Sequence, residues 1–141
     1  MPAVEIDLQG SAGVAVRALV HLGVIVARRL PAPTIGGMGR GAIVLAGGRS
    51  TRMGSPKALL DWHGAPLLAH VVAVVRRGIG GGPLVVVRAP GQALPSLPAG
   101  VRVVEDDEEG RGPLQGLHAG LAALAGEAEA AFVSGTDTPF L

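Results

Sequence analysis

From residue 41 onward, short apolar runs alternate with longer stretches in which apolar residues recur every three or four positions. The apolar run AIVLA (42–46), ended by glycines, predicts a buried parallel strand, and PLVVVR (83–88), VRVVE (101–105) and AAFVSG (130–135) predict three further strands. Between them, PLLAHVVAVVRR (66–77) opens on proline and closes on Arg-Arg-Gly, which predicts a helix despite its valines. PLQGLHAGLAAL (113–124) spaces Leu114, Leu117, Leu121 and Leu124 along one helical face. Strands alternating with helices predict an α/β layered domain around parallel strands. In such sheets ligands bind beyond the carboxyl ends of the strands. That rule selects four loops, 47–57, 88–98, 105–113 and 135–140.

Residues 1–40 follow a different pattern. Residues 14–30 are apolar but interrupted by Arg17, His21, Arg28 and Arg29. The run is shorter than the ~20 apolar residues of a membrane span, and it lacks the small-residue cleavage pattern of a secretory signal. The glycine- and proline-rich PAPTIGGMGRG (31–41) then punctuates the chain. The expectation is an N-terminal extension over 1–40 carrying one amphipathic helix, followed by a single domain over 41–141. Met38, immediately before the first strand, is an alternative natural start, with 1–37 then a gene-start artefact.

Composition narrows the function classes. The 141 residues suit one domain with a real core. Cysteine is absent, which excludes disulfides, thiolate metal sites and cysteine nucleophiles. A net charge of +1 gives no electrostatic case for nucleic acid. A soluble cytoplasmic protein without a membrane partner is the default expectation. Eleven of the twelve basic residues are arginine and the twelfth is Lys57. In a chain that otherwise uses arginine, a single lysine marks a position where a compact ammonium is needed, unless chance placed it there.

That lysine ends LAGGRSTRMGSPK (45–57), which directly follows the first predicted strand. The stretch has no Gly-Lys pair and so is not a Walker loop, and it lacks the G-x-G-x-x-G of a dinucleotide fingerprint. Its chemistry still points to an anion. Gly47 and Gly48 let backbone amides approach closely, while Arg49, Arg52 and Lys57 add full positive charge. A triphosphate needs that combination, because its charge must be neutralised before a nucleophile reaches phosphorus. The plain alternative is a surface loop with solvated arginines.

The complete pattern resembles the nucleotidyltransferases. LAGGRSTRMGSPKALL matches their signature L-A-G-G-x-S-x-R-M-G-x-x-K, and GPLQGL (112–117) and TDTPFL (136–141) match two later motifs in order and spacing. Within that family the chain is most similar to the molybdenum cofactor guanylyltransferases, over 41–141. The resemblance implies a three-layer Rossmann-like fold with a mostly parallel sheet. It also implies transfer of GMP from GTP to the phosphate of molybdopterin carrying molybdenum, with release of pyrophosphate and with Mg2+ as cofactor. Carried over by motif, Leu45, Ala46 and Gly47 line the nucleotide site through their backbone, and Gly48 shapes the same turn. Arg52 and Lys57 hold the phosphates, Lys57 stabilising charge in the transition state. Asp106 contacts the nucleotide, Pro113 and Leu114 belong to the base pocket, and Asp137 binds magnesium. The catalytic set is thus Lys57, Arg52 and Asp137. Cytidine-using relatives typically read A-A-G at 46–48, D-Q-P at 137–139 and Ser-Leu at 113–114; this chain reads A-G-G, D-T-P and Pro-Leu, which points to GTP.

The residues themselves leave some roles open. An aspartate just past a strand suits magnesium, which takes one or two carboxylates plus phosphate oxygens; it equally suits a turn before Pro139. The family often carries asparagine where Arg88 stands. It also continues for a further third of the domain beyond the motif at 136–141, so 41–141 is expected to be the N-terminal two thirds of a nucleotidyltransferase domain, C-terminally truncated. A CTP-using or other small-acceptor transferase is one alternative, and a non-catalytic remnant another. Of the acidic run 105–109 only Asp106 receives a role. His63, His70 and His118 show no metal-ligand spacing and receive none.

Overall fold

A computed structural model describes residues 4–9, 15–21, 24–29, 39–47, 56–106 and 113–137. The elements run β1 (Val4–Gln9), β2 (Ala15–His21), β3 (Val24–Arg29), β4 (Arg40–Leu45), a 3-10 turn (Lys57–Leu59), β5 (Asp61–Trp62), β6 (Ala65–Pro66), α1 (Leu67–Ile79), β7 (Leu84–Arg88), β8 (Val101–Glu105), α2 (Pro113–Ala123) and β9 (Ala130–Gly135). All four strands and both helices expected from residue 41 onward are present, within three residues at each end. β5 and β6 form a small separate hairpin.

One seven-stranded sheet has the order β1-β2-β3-β9-β4-β7-β8. Four of its strands are parallel, with β4 flanked by β7 and β9 and with β8 at the edge beyond β7. Helices cover both faces, and the two-residue period of a strand explains how. Ala42 and Val44 of β4 and Leu84 and Val86 of β7 join α1's Leu67, Leu68, Val71, Val72 and Val75 in one core. Ile43, Val85 and Val87 point the other way and join Leu117 and Leu124 of the α2 region with Ala131 and Val133 of β9. β4 and β7 are therefore apolar through their middles because both faces are buried, whereas the edge strand β8 carries Arg102 and Glu105 and leaves Val103 exposed. The result is the expected three-layer α/β architecture.

α1 is a helix because its buried positions fall at i, i+1, i+4, i+5 and i+8 of one stripe, which outweighs the weak helix preference of valine. Gly80 closes it at φ 66°, the left-handed conformation that glycine adopts without a Cβ penalty. α2 packs by close approach. A Cβ on Gly120 would lie 2.6 Å from Ile43 Cγ2, and one on Gly116 would lie 3.2 Å from Leu45 Cδ2. This glycine face seats the helix on β4 and β7, with Leu117 and Leu124 filling the core beside it. Leu114 departs from the expected stripe: it is 52% exposed, in the first turn of the helix.

Within 14–30, Ala15–His21 and Val24–Arg29 form strands where one amphipathic helix was expected. β2 and β3 pair antiparallel, β1 pairs with β2, and β3 pairs with β9 in the register Ile25↔Val133 to Arg28↔Ala130. The sequence signal was available: VEIDLQ alternates apolar and polar strictly, and β2 and β3 are rich in valine, which favours strands. Among the described residues no helix is long and apolar enough to cross a membrane.

Candidate functional site

The chain leaves β4 through α1 toward β7 on one side, and returns from β8 through α2 to β9 on the other. The order therefore reverses between β4 and β9, and the carboxyl ends of those strands flank the crevice where open α/β sheets bind ligands. Leu45 ends β4 and Gly135 ends β9, paired in register. The buried Thr136 ties the two ends together, its hydroxyl donating to the Leu45 carbonyl at 3.1 Å. Asp137 follows, exposed. A Cβ on Gly135 would lie 2.7 Å from Asp137 Oδ1, so the carboxylate is folded back over the end of β9, in space that only a glycine leaves open.

On the other side of Leu45 lies the start of α2. The Cβ position of Gly116 is 3.2 Å from Leu45 Cδ2 and 3.8 Å from Asp106 Oδ2. Asp106 is the first residue after β8, and its amide donates to the Arg88 carbonyl at 2.8 Å, extending the β7–β8 ladder by one rung. Leu45, Asp106 and the first turns of α2, including Pro113 and Leu114, thus lie at one end of the sheet. The ends of β8 and β9 are three strand spacings apart, roughly 14 Å. The two aspartates accordingly follow different strands, on either side of β4. Among the described residues no three His, Asp or Glu side chains gather as a cage. A magnesium ion carried largely by phosphate oxygens and water needs only one or two carboxylates, so an exposed all-oxygen donor at a strand end fits it.

The backbone of Leu45–Gly47 is thoroughly engaged. The amides of Ala46 and Gly47 both donate to the Val87 carbonyl, at 2.8 and 3.2 Å. The Leu45 carbonyl accepts from Thr136, and the Ala46 carbonyl accepts from Gln92 Nε2 at 2.9 Å. The amide donors of Ala46 and Gly47 are therefore spent within the fold, while each carbonyl keeps a second lone pair.

Lys57 opens the 3-10 turn and is exposed. Ala58 beside it is fully buried in the same core cluster as Ala46 and α1, which anchors the turn on the α1 face of the sheet. Gly48, Arg49 and Arg52 lie outside the described residues. Arg88, where the family often has asparagine, is committed to the fold. Its Nη2 donates to Glu105 Oε1 at 2.6 Å and its Nη1 to the Gln92 carbonyl at 3.0 Å. Its Nε is buried without a partner among the described residues.

Two residues escaped the sequence reading. Thr136 had a signal, as a hydroxyl between a buried strand and the candidate metal carboxylate. Gln92 had a weaker one, as a polar residue in a loop already selected by the carboxyl-end rule.

Comparison with known proteins places these features in a family. Residues 42–141 match the MobA-like NTP transferase domain. A probable molybdenum cofactor guanylyltransferase of Mycobacterium avium is 44% identical over 102 residues, covering 70% of this chain and 50% of that protein. The protein of the same description from Mycobacterium tuberculosis H37Rv is 43% identical over 102 residues, with 70% and 49% covered. The chain thus spans about half the length of the curated relatives it matches. A crystal structure of Rv0371c from Mycobacterium tuberculosis H37Rv superposes with a TM-score of 0.60 at 26% identity, covering 75% of this chain and 55% of that one.

Proposed function

The chain belongs to the family of MobA-like NTP transferase domains, and from that premise we propose that it transfers a nucleotidyl group, specifically GMP from GTP to the phosphate of a molybdopterin-type acceptor. The supporting observation is the convergence at the switch point: Leu45–Gly47, Asp106 and Asp137 stand around the carboxyl ends of β4, β8 and β9. The relatives' description as guanylyltransferases and the residues Gly47-Gly48, Asp137-Thr138 and Pro113-Leu114 favour guanine.

In this reading an oxygen of the acceptor phosphate forms a bond to the α-phosphorus of GTP. The bond from that phosphorus to the β-bridging oxygen breaks, and pyrophosphate leaves with the electron pair. The nucleophile is already anionic, so no general base is demanded, and catalysis rests on positioning and charge stabilisation. Leu45 and Ala46 offer carbonyl lone pairs, which suit the N–H groups of a base and repel phosphate. Lys57, with Arg52, takes the phosphate charge. Asp137 would hold magnesium, which when bound neutralises charge on the triphosphate.

The direct test supplies GTP, magnesium and a molybdopterin acceptor, and measures pyrophosphate release together with a guanylylated product. Release that depends on the acceptor and on GTP supports the proposal. Pyrophosphate released from CTP in preference to GTP would replace guanylyl by cytidylyl transfer.

A further inference from the structure

The loop after β7 reaches across the sheet end through one side chain. Gln92 Nε2 donates to the Ala46 carbonyl at 2.9 Å, and Gln92 Oε1 accepts from the Ala89 amide at 2.9 Å. Both ends of the amide are used, and exchanging them would set oxygen against oxygen and N–H against N–H, which fixes its orientation. The backbone of Gln92 is held just as firmly. Its amide donates to the Ala89 carbonyl at 3.0 Å, and its carbonyl accepts from Arg88, whose guanidinium is in turn held by Glu105. β4, β7 and β8 are thereby linked at their carboxyl ends through Gln92 and Arg88.

The peptide between Ala46 and Gly47 is the object of this arrangement. Its N–H donates to Val87 and its C=O accepts from Gln92, so both of its polar groups are tied to β7 and the turn that follows. The Val87 contact is shared with the Ala46 amide and is the longer of the two, at 3.2 Å. Without Gln92 the peptide keeps only that shared bond and can rotate about its neighbouring dihedrals.

We propose that Gln92 is a positioning residue that sets the Ala46–Gly47 peptide for nucleotide binding, an inference resting on the reading of that segment as the lining of the nucleotide site. Gln92 does not itself touch the reacting atoms. It pre-pays the ordering of the segment, which otherwise would be charged against affinity.

Two variants of the full chain and two readouts test it. Gln92→Ala removes both bonds. Gln92→Glu keeps the acceptor for the Ala89 amide but sets a carboxylate oxygen against the Ala46 carbonyl. In the nucleotide-free protein, amide hydrogen exchange at Gly47 is expected to quicken about fivefold or more in both variants, as the loss of one hydrogen bond allows. In calorimetric titration with GTP and magnesium, Kd is expected to rise about fivefold in Gln92→Ala and further in Gln92→Glu, with Tm nearly unchanged in Gln92→Glu. Unchanged exchange at Gly47 overturns the tether. A lowered Tm with Kd unchanged overturns the positioning role and leaves Gln92 as turn scaffolding. If the wild-type chain binds no GTP, the nucleotide reading fails, and the exchange measurement still decides whether the tether exists.

Discussion

Replacing Lys57, the single lysine, by alanine removes the chain's one ammonium side chain without touching the core, since Lys57 is exposed and Ala58 carries the burial. A charge-assisted contact to phosphate contributes about 1.5–3 kcal/mol, so Kd for GTP should rise roughly ten- to hundredfold while Tm holds; titration and thermal melting of the same sample measure both. Gly135 offers a sharper residue-level test. A methyl there would crowd Asp137 Oδ1 at 2.7 Å, and the flexible carboxylate can yield at small cost to the fold. Gly135→Ala should therefore weaken the magnesium-dependent part of nucleotide binding while the protein stays folded. Equal magnesium dependence in the variant and the wild type would remove Asp137 from the metal's surroundings. Lys57 and Asp137 were legible because each belongs to a motif. Gln92 was not, since its importance comes from a bond spanning 46 residues of sequence to Ala46, and no local pattern encodes such a partner.

At the scale of elements, α2 depends on how closely it sits on β4. Gly120→Ala would drive a Cβ to 2.6 Å from Cγ2 of the fully buried Ile43, with two more Ile43 carbons within 3.1 Å. Overpacking of this kind costs about 1–3 kcal/mol, a fall in Tm of roughly 3–10 °C for a domain of this size, read by calorimetry. β4 and β7 were legible because burial on both faces leaves an unbroken apolar run, and α1 because its valines follow a helical stripe. Leu114 was misplaced because periodicity assigns a side to a residue and says nothing of whether the neighbouring sheet extends that far. β2 and β3 were missed for a related reason. A valine-rich run of 14–30 satisfies helix and strand alike until a pairing partner decides, and the partner for β3 is β9, about a hundred residues later.

For the whole molecule, the hairpin strands and the parallel core form one sheet, with β3 covering the outer edge of β9. Deleting residues 1–29 would bare that edge, and an unpaired strand is a template for another chain. Concentration-dependent self-association of the deletion variant in light scattering is the expected outcome; a variant as monodisperse as its parent would contradict the pairing. The winding of the sheet reverses between β4 and β9, where Asp137 stands with Leu45, so the proposed nucleotide is expected at that crevice. The central claim is that this crevice binds a guanine nucleotide with magnesium. Calorimetric titration of the chain with GTP, CTP and ATP, each with and without magnesium, tests it most directly. Binding of GTP in preference to the other two, strengthened by magnesium, is the expected result; tighter binding of CTP, or no heat of binding from any of the three, would overturn the guanine assignment.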